Sequence, residues 1–163
     1  MHRYLIALGS NRRHRRFGRP RDVVENALIV LVEAGIRVRR VGPIVLTEPI
    51  GPSLRRYANS AATIETELDP PALLQLLKRI ERQFGRRSGG QRWTARVLDL
   101  DIILWGGGIY AVPGLTVPHP LFRDRPFVIE PAAAIAPGWK DPITGLTLRQ
   151  IKARLTAPRP LPR

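Results

Sequence analysis

The chain contains no cysteine, which excludes disulfide bonds, iron–sulfur clusters and zinc sites built on thiolates. This absence is typical of a reducing compartment, and we expect a cytoplasmic protein. No stretch approaches the ~18 apolar residues of a membrane-spanning helix, and the apolar run near the start is too short for the core of a signal peptide. The patterns G-x-x-x-x-G-K-[ST] and G-x-G-x-x-G are also missing. A nucleotide would therefore be held by arginines, metal ions and strand edges rather than by a phosphate-cradling loop.

Lysine is scarce, although the chain is strongly basic. The 163 residues carry 27 Lys and Arg against 13 Asp and Glu, which gives a formal net charge of +14, and only three of the basic residues are Lys. Because Arg offers a planar fork that suits phosphate, we expect a polyanionic partner such as a nucleotide, a nucleic acid or an acidic membrane surface. A biased genome composition would produce the same excess of Arg, so composition alone leaves the partner open.

The order of the local patterns predicts an α+β fold. Apolar residues make up 44% of the chain, which is a globular balance, and we expect one domain over residues 1–163 with a frayed tail from about 156. The order β-α-β-β-α-β is typical of a ferredoxin-like core, and a β-ribbon and a short helix follow it as a C-terminal elaboration. The predicted elements are strands at Tyr4–Leu8, Tyr57–Leu68 and Val97–Leu104, a β region from Ile36 to about Thr47 that is interrupted at Gly42-Pro43, helices after Pro20 and Asp69, a ribbon of Ile109–Val112 with Leu115–Val117, and a helix at Phe127–Ile135.

The sharpest chemical signal is the alternation Leu98-Asp99-Leu100-Asp101-Ile102. Alternate side chains of a strand share a face, so the apolar residues are expected to face the core while Asp99 and Asp101 project together from the other side. Two carboxylates so close repel each other unless a cation lies between them, and carboxylate oxygens on a rigid strand suit Mg²⁺ that carries a polyphosphate. A half-solvated strand with acidic outer residues is the structural alternative.

Basic and aromatic residues flank this strand. Acidic metal ligands surrounded by arginines are typical of phosphoryl-transfer sites. His119 lies between two prolines and is placed either to donate to a phosphate or to play a structural part. Trp93 favours a packed or stacking loop over a solvated one. The arginines before the strand are Arg86, Arg87, Arg92 and Arg96, and those after it are Arg123 and Arg125.

A second basic segment carries six arginines between Arg12 and Arg21. It follows the first predicted strand and reads either as a solvated charge run or as an anion-binding arm. Since it lies outside the motifs that carry chemistry, we expect it to be dispensable for turnover.

Several motifs together resemble the family of 6-hydroxymethyl-7,8-dihydropterin pyrophosphokinases of folate biosynthesis. The resemblance extends from Tyr4 to about Ile151. Its most specific part is the block R-W-T-A-R-V-L-D-L-D-I followed by V-P-H-P. The motifs that carry it are Ala7–Asn11, Thr47–Gly51, Tyr57–Asn59, Ile80-Glu81, Gly85-Arg86, Arg92–Arg96, Leu98–Asp101, Pro118–Pro120 and Arg125–Phe127.

The resemblance implies transfer of pyrophosphate from ATP to the hydroxymethyl oxygen of the pterin, with release of AMP. Asp99 and Asp101 would hold two Mg²⁺ ions, and Arg86 and Arg96 would join them as catalytic residues, Arg96 nearest the transferring group. The family pattern also implies an ATP-binding set, which comprises Glu81, Arg86, Arg92, Trp93, Arg96, Ile102, Thr116, His119 and Arg125.

For the pterin, the resemblance implies two aromatic rings, Tyr57 and Phe127, that sandwich the flat substrate, with Asn59 at its polar edge. Thr47, Pro49 and Gly51 would lie beside it. We expect a monomer that acts on these small molecules, with no membrane and no specific nucleic acid as partners. The alternative is a ferredoxin-like nucleic-acid-binding module, since the same element order and a positive charge serve RNA recognition. The chain lacks the K/R-G-F/Y-type aromatic stretch that such modules carry.

Overall fold

A computed structural model describes residues 1–47, 56–85 and 97–162. Seven strands, four α-helices and one short 3₁₀ helix lie within these ranges, and they confirm the predicted α+β class. In the same ranges, no helix has the length and apolar character needed to cross a membrane. The elements in chain order are β1 (His2–Ser10), α1 (Pro20–Glu33), β2 (Arg37–Val41), β3 (Val45–Thr47), β4 (Tyr57–Thr66), α2 (Pro70–Gln83), β5 (Asp99–Trp105), β6 (Tyr110–Val112), β7 (Leu115–Val117), a 3₁₀ helix (Phe122–Asp124), α3 (Pro126–Ile135) and α4 (Leu148–Thr156).

The main sheet has five antiparallel strands. Its order is β2-β4-β1-β5, and β3 pairs with the part of β4 that β2 leaves free. Helices cover both faces. One core cluster joins the sheet to α1 and α2, and a second joins its other face to α3 and α4. The strands β6 and β7 form a separate ribbon, as the sequence predicts.

Helix α2 shows how local sequence sets an element. Asp69 caps its first turn by accepting a hydrogen bond from the Ala72 N–H at 3.0 Å, and proline follows at the first helical positions, where no N–H is needed. The stripe Leu73, Leu77 and Ile80 is buried with Phe84, and each such side chain contributes about 1.5–3 kcal/mol by leaving water. The helix thereby fixes the edge strand β5 from behind.

Two features differ from the predicted pattern. The third predicted strand alternates polar and apolar residues, yet Thr63 is buried along with Ala62 and Ile64, because helices cover both faces of the sheet. Helix α4 was not predicted: it buries only Leu148 and Ile151, and so short an apolar stripe gives little periodic signal. Its start at Thr147 is capped through the Gln150 N–H at 3.2 Å.

Candidate active site

A cavity of about 460 Å³ opens at the end of the sheet where β1 finishes and β4 and β5 begin. The first turn of α3 closes it on one side. Backbone and side chains from five elements therefore meet at one place. The lining residues are Ala7, Leu8, Gly9, Ser10, Asn11, Thr47, Tyr57, Asn59, Ser60, Asp99, Asp101, Arg125, Phe127 and Val128.

Strand register brings the polar residues of the cavity together. Gly9 of β1 lies opposite Asn59 of β4 on one side and opposite Asp99 of β5 on the other, and directly opposed residues of antiparallel strands share a face. A Cβ on Gly9 would stand 2.8 Å from the Asn59 Oδ1. Glycine at this position therefore leaves room for the Asn59 amide beside the strand.

Asp99 and Asp101 project on the face that the alternation predicts. Leu98, Leu100 and Ile102 are buried in the core cluster that includes α1 and α2, while both carboxylates are half-buried and line the cavity. Within the described residues, no group of three or more His, Cys, Asp or Glu could hold a metal ion. Two carboxylates fit Mg²⁺ nonetheless, because Mg²⁺ in nucleotide enzymes commonly binds one or two carboxylates and completes its shell with phosphates and water.

Glu81 supports this strand from behind. Its side chain, on α2, is only 3% exposed, and its Oε2 accepts a hydrogen bond from the Leu100 N–H at 3.3 Å. Leu100 is the residue between the two aspartates, and β5 is the edge strand of the sheet. Glu81 thus supplies an acceptor to a donor on a strand that has no further neighbour among the described strands.

His119 lies close to the carboxylate of Asp101 and to Arg125. Burial lowers the pKa of His119, with the positive charge of Arg125 acting in the same direction and the nearby Asp101 opposing them. Its Nδ1 accepts a hydrogen bond from the Leu121 N–H at 3.2 Å, which leaves the ring proton on Nε2. The neutral ring can therefore donate a hydrogen bond from Nε2. The backbone N–H of His119 donates to Ile103 O at 3.0 Å.

Aromatic and basic side chains border the cavity at the start of α3. The Arg125 guanidinium carbon lies 5.8 Å from the centre of the Phe127 ring, within cation–π range. On the opposite wall, Tyr57 is 40% exposed and pairs across strands with Thr47. An exposed ring is available to stack on a ligand, since it does not serve the core.

The structure gathers seven of the residues proposed from the sequence and leaves four elsewhere. Those that line the cavity are Thr47, Tyr57, Asn59, Asp99, Asp101, Arg125 and Phe127. Glu81 lies behind β5, His119 lies near Asp101, and Thr116 is exposed on β7. The Ile102 side chain is buried, which leaves its backbone for a ligand. The predicted residues Pro49, Gly51, Arg86, Arg92, Trp93 and Arg96 lie outside the described residues.

Sequence reasoning gave no role to Ser10 or Asn11, which also line the cavity. The Asn11 Oδ1 is buried and has no hydrogen-bond partner in the described part of the chain. Buried acceptors are nearly always satisfied, so a ligand that donates an N–H or O–H would complete this group. The available sequence signal was the turn after the first strand. Its place in the site is recognised only because Ser10 and Asn11 line the cavity.

Comparison with known proteins shows the family of the chain. The family model of the 7,8-dihydro-6-hydroxymethylpterin-pyrophosphokinases matches residues 5–137. The 2-amino-4-hydroxy-6-hydroxymethyldihydropteridine pyrophosphokinase of Synechocystis sp. is 38% identical over 151 residues, covering 92% of this chain and 74% of the relative. The enzyme of the same name from Pseudomonas aeruginosa is 37% identical over 142 residues, covering 86% and 84%.

A solved structure agrees at the level of the fold. The crystal structure of Plasmodium falciparum HPPK-DHPS matches 94% of this chain and 42% of its own length, with a TM-score of 0.65 and 12% sequence identity. This agreement shows that the chain shares the α+β fold of that structure. The chain belongs to the 7,8-dihydro-6-hydroxymethylpterin-pyrophosphokinase family. It is an ATP-dependent pyrophosphokinase of folate biosynthesis, and the nucleic-acid-binding alternative is not supported.

Proposed function

We propose that the cavity at the end of the sheet is where pyrophosphate passes from ATP to the hydroxymethyl group of 6-hydroxymethyl-7,8-dihydropterin, with release of AMP. The observation that carries this assignment is that one cavity holds both the Asp99–Asp101 pair and the rings of Tyr57 and Phe127. A metal-and-phosphate site and a platform for a flat substrate are thereby adjacent, as a transfer between two bound molecules requires.

Asp99 and Asp101 are the proposed ligands of two Mg²⁺ ions. Magnesium bound there would offset negative charge on the triphosphate of ATP and favour attack at the β-phosphorus. The strand holds both carboxylates on one face, and Glu81 fixes the backbone between them. The carboxylates are thus positioned before substrate arrives, which avoids a reorganisation cost during the reaction.

The ATP side of the cavity is proposed to use arginine and histidine. Arg125 at the start of α3 and the Nε2–H of His119 would donate to phosphate oxygens. Ile102, Thr116 and Glu81 would lie on the nucleoside side. The sequence resemblance adds Arg86, Arg92, Trp93 and Arg96, which lie outside the described ranges. Of these, Arg86 and Arg96 would be catalytic.

The pterin is proposed to stack between Tyr57 and Phe127. Asn59 would bond the polar edge of the substrate, because Gly9, which lies between Asn59 and Asp99 in the strand register, leaves room for its amide. Thr47, with Pro49 and Gly51 outside the described ranges, would border the ring. This placement directs the hydroxymethyl oxygen toward the carboxylates and the phosphates they organise.

The rest of the architecture is proposed to serve one catalytic unit. We assign residues 1–163 to a single domain with a tail from about 156, built on a ferredoxin-like core; the strand order β2-β4-β1-β5 supports this topology. We further propose that the enzyme is a monomer with a cytoplasmic location.

The proposal is tested by mixing the chain with ATP, Mg²⁺ and 6-hydroxymethyl-7,8-dihydropterin and measuring AMP. We expect one AMP for each pyrophosphorylated pterin, and none when either the pterin or the metal is omitted. AMP release without pterin, or no AMP with all components present, would contradict the proposed function. Phe127→Ala, compared with the ring-retaining Phe127→Tyr, then links the activity to this cavity.

A further inference from the structure

The arginine-rich segment after β1 is a folded hairpin in the structure. The His14 N–H donates to Gly18 O at 2.7 Å, and the Gly18 N–H donates to His14 O at 2.9 Å. The ring of His14 then accepts hydrogen bonds from the backbone N–H groups of Arg16 at 3.0 Å and Phe17 at 3.1 Å. These contacts fix the backbone of residues 12–19, which we call the cationic hairpin.

A stacked pair of rings anchors the cationic hairpin to α2. The centres of the Phe17 and Phe84 rings are 4.5 Å apart with 29° between their planes, a stacked geometry that stabilises aromatic pairs. Phe84 is fully buried at the C-terminal end of α2, and Arg86, a proposed phosphate contact, follows it by two residues. The hairpin therefore lies at the end of α2 from which the arginine-bearing segment continues.

The other end of the hairpin begins at the cavity wall. Ser10 and Asn11 line the cavity, and Arg12 follows directly. Arg12, Arg13 and Arg15 are exposed, and no described acidic residue forms an ion pair with them. Further along, Arg19 and Arg21 do pair, with Asp22 and Glu25. The arginines that follow the cavity wall in the chain are thus not neutralised by an ion pair with a described carboxylate.

We propose that the cationic hairpin is an electrostatic guide that accelerates the association of the nucleoside triphosphate with the cavity. The inference rests on the proposed function, because it takes the triphosphate as the anion. Fixed charges beside a binding cleft raise the association rate of an oppositely charged ligand by about 10- to 10³-fold at low ionic strength. Charges at the rim of a site act mainly on the association rate and on its salt dependence.

The test uses stopped-flow binding of a fluorescent N-methylanthraniloyl ATP with Mg²⁺. The variant Arg12→Gln, Arg13→Gln, Arg15→Gln removes three positive charges from the hairpin. We expect its association rate to fall about tenfold at low ionic strength and to converge with that of the unchanged chain near 1 M salt, where the Debye length is about 3 Å. The dissociation rate should change less than about twofold.

Four controls separate guidance from other effects. The variant Arg149→Gln, Lys152→Gln, Arg154→Gln removes the same charge from the exposed face of α4, and its association rate should stay within about twofold. Replacing the three hairpin arginines by lysine should restore the rate, since charge alone is required. The uncharged pterin should associate with all variants equally. Melting temperatures should stay unchanged, because the substituted side chains are exposed.

Several results would overturn the guide. These are an equal fall in the association rate for the hairpin and α4 variants, a fall that persists at high salt, the same fall in the association rate of the pterin, or an effect confined to the dissociation rate. The proposed function fails separately: a chain that binds the nucleotide analogue with the expected salt dependence but releases no AMP with pterin contradicts the function, not the guide.

Discussion

Glu81 on α2 accepts a hydrogen bond from the backbone of Leu100 on β5, with 3.3 Å between Oε2 and the amide nitrogen. This contact joins a buried carboxylate to the peptide between the two cavity-lining aspartates. Sequence resemblance places Glu81 near the nucleotide, and the structure gives it a second connection, through the strand that carries Asp99 and Asp101. The spacing of those carboxylates thus depends on how α2 packs against the edge of the sheet.

We predict that Glu81→Leu lowers both stability and kcat/KM, while Glu81→Gln retains most of the stability. Leucine leaves the Leu100 N–H without this acceptor, at a cost of about 1–3 kcal/mol for a buried donor, whereas glutamine keeps a carbonyl oxygen in reach. Thermal unfolding and AMP release measure the two effects. If both variants lose stability equally, the charge of Glu81 matters rather than its acceptor oxygen.

Replacing either aspartate of the pair should abolish most turnover without unfolding the chain. Asp99→Asn and Asp101→Asn keep side-chain shape on the half-buried cavity face but weaken Mg²⁺ binding. Because a metal supplies several kcal/mol of charge stabilisation, and each 1.36 kcal/mol is tenfold in rate, kcat should fall by about a hundredfold or more. Glu33→Gln, at the exposed end of α1, removes the same charge as a control. Near-normal turnover in either aspartate variant contradicts the metal assignment.

Phe127→Ala should weaken pterin binding by roughly 2–3 kcal/mol, or about 30- to 150-fold, because stacking and apolar contact are both lost. ATP affinity measured without pterin should change far less. Phe127→Tyr keeps the ring and should keep most of the affinity. Both affinities are measured together with the melting temperature, because a core role for Phe127 would instead weaken both ligands alike in a destabilised protein.

Acid should destabilise the protein through the ion pair of Arg123 and Asp141. Burial alone would raise the pKa of Asp141, but hydrogen bonds from Arg123, Thr144 and the Ile143 N–H outweigh it and lower the pKa from 3.8 to about 2. The Arg123 Nε lies 2.6 Å from Asp141 Oδ2 and its Nη2 lies 2.8 Å from Oδ1.

The direction of the pH dependence follows from whether the folded or the unfolded chain binds the Asp141 proton. Between about pH 4 and pH 2 the unfolded chain binds the Asp141 proton and the folded chain does not, so stability rises with pH across this window. Above this pH window, the lowered pKa of Asp141 contributes about 2 kcal/mol to the free energy of unfolding. This contribution is lost as the pH falls toward 2. Asp141→Asn should therefore reduce the free energy of unfolding at neutral pH, and its deficit should shrink in acid. Urea unfolding at several pH values measures this, and a deficit independent of pH contradicts it.

Local patterns predicted most of the elements. The Asp69 cap, the prolines that follow it and the buried stripe of α2 are short-range signals, and each is present in the structure. The alternation around Asp99 likewise predicted two carboxylates on one face. The burial of Thr63 and the existence of α4 were not predicted, because both depend on helices packing against the second face of the sheet.

Alternation, caps and motif order are properties of neighbouring residues, and they suffice to predict the α+β class, the family and the shared face of Asp99 and Asp101. The position of Gly9 between Asn59 and Asp99, the hydrogen bond from Leu100 to Glu81 and the stacking of Phe17 on Phe84 arise only in the folded chain. These contacts join residues distant in the chain. They follow from strand register and helix packing, which the summed burial of the whole core sets.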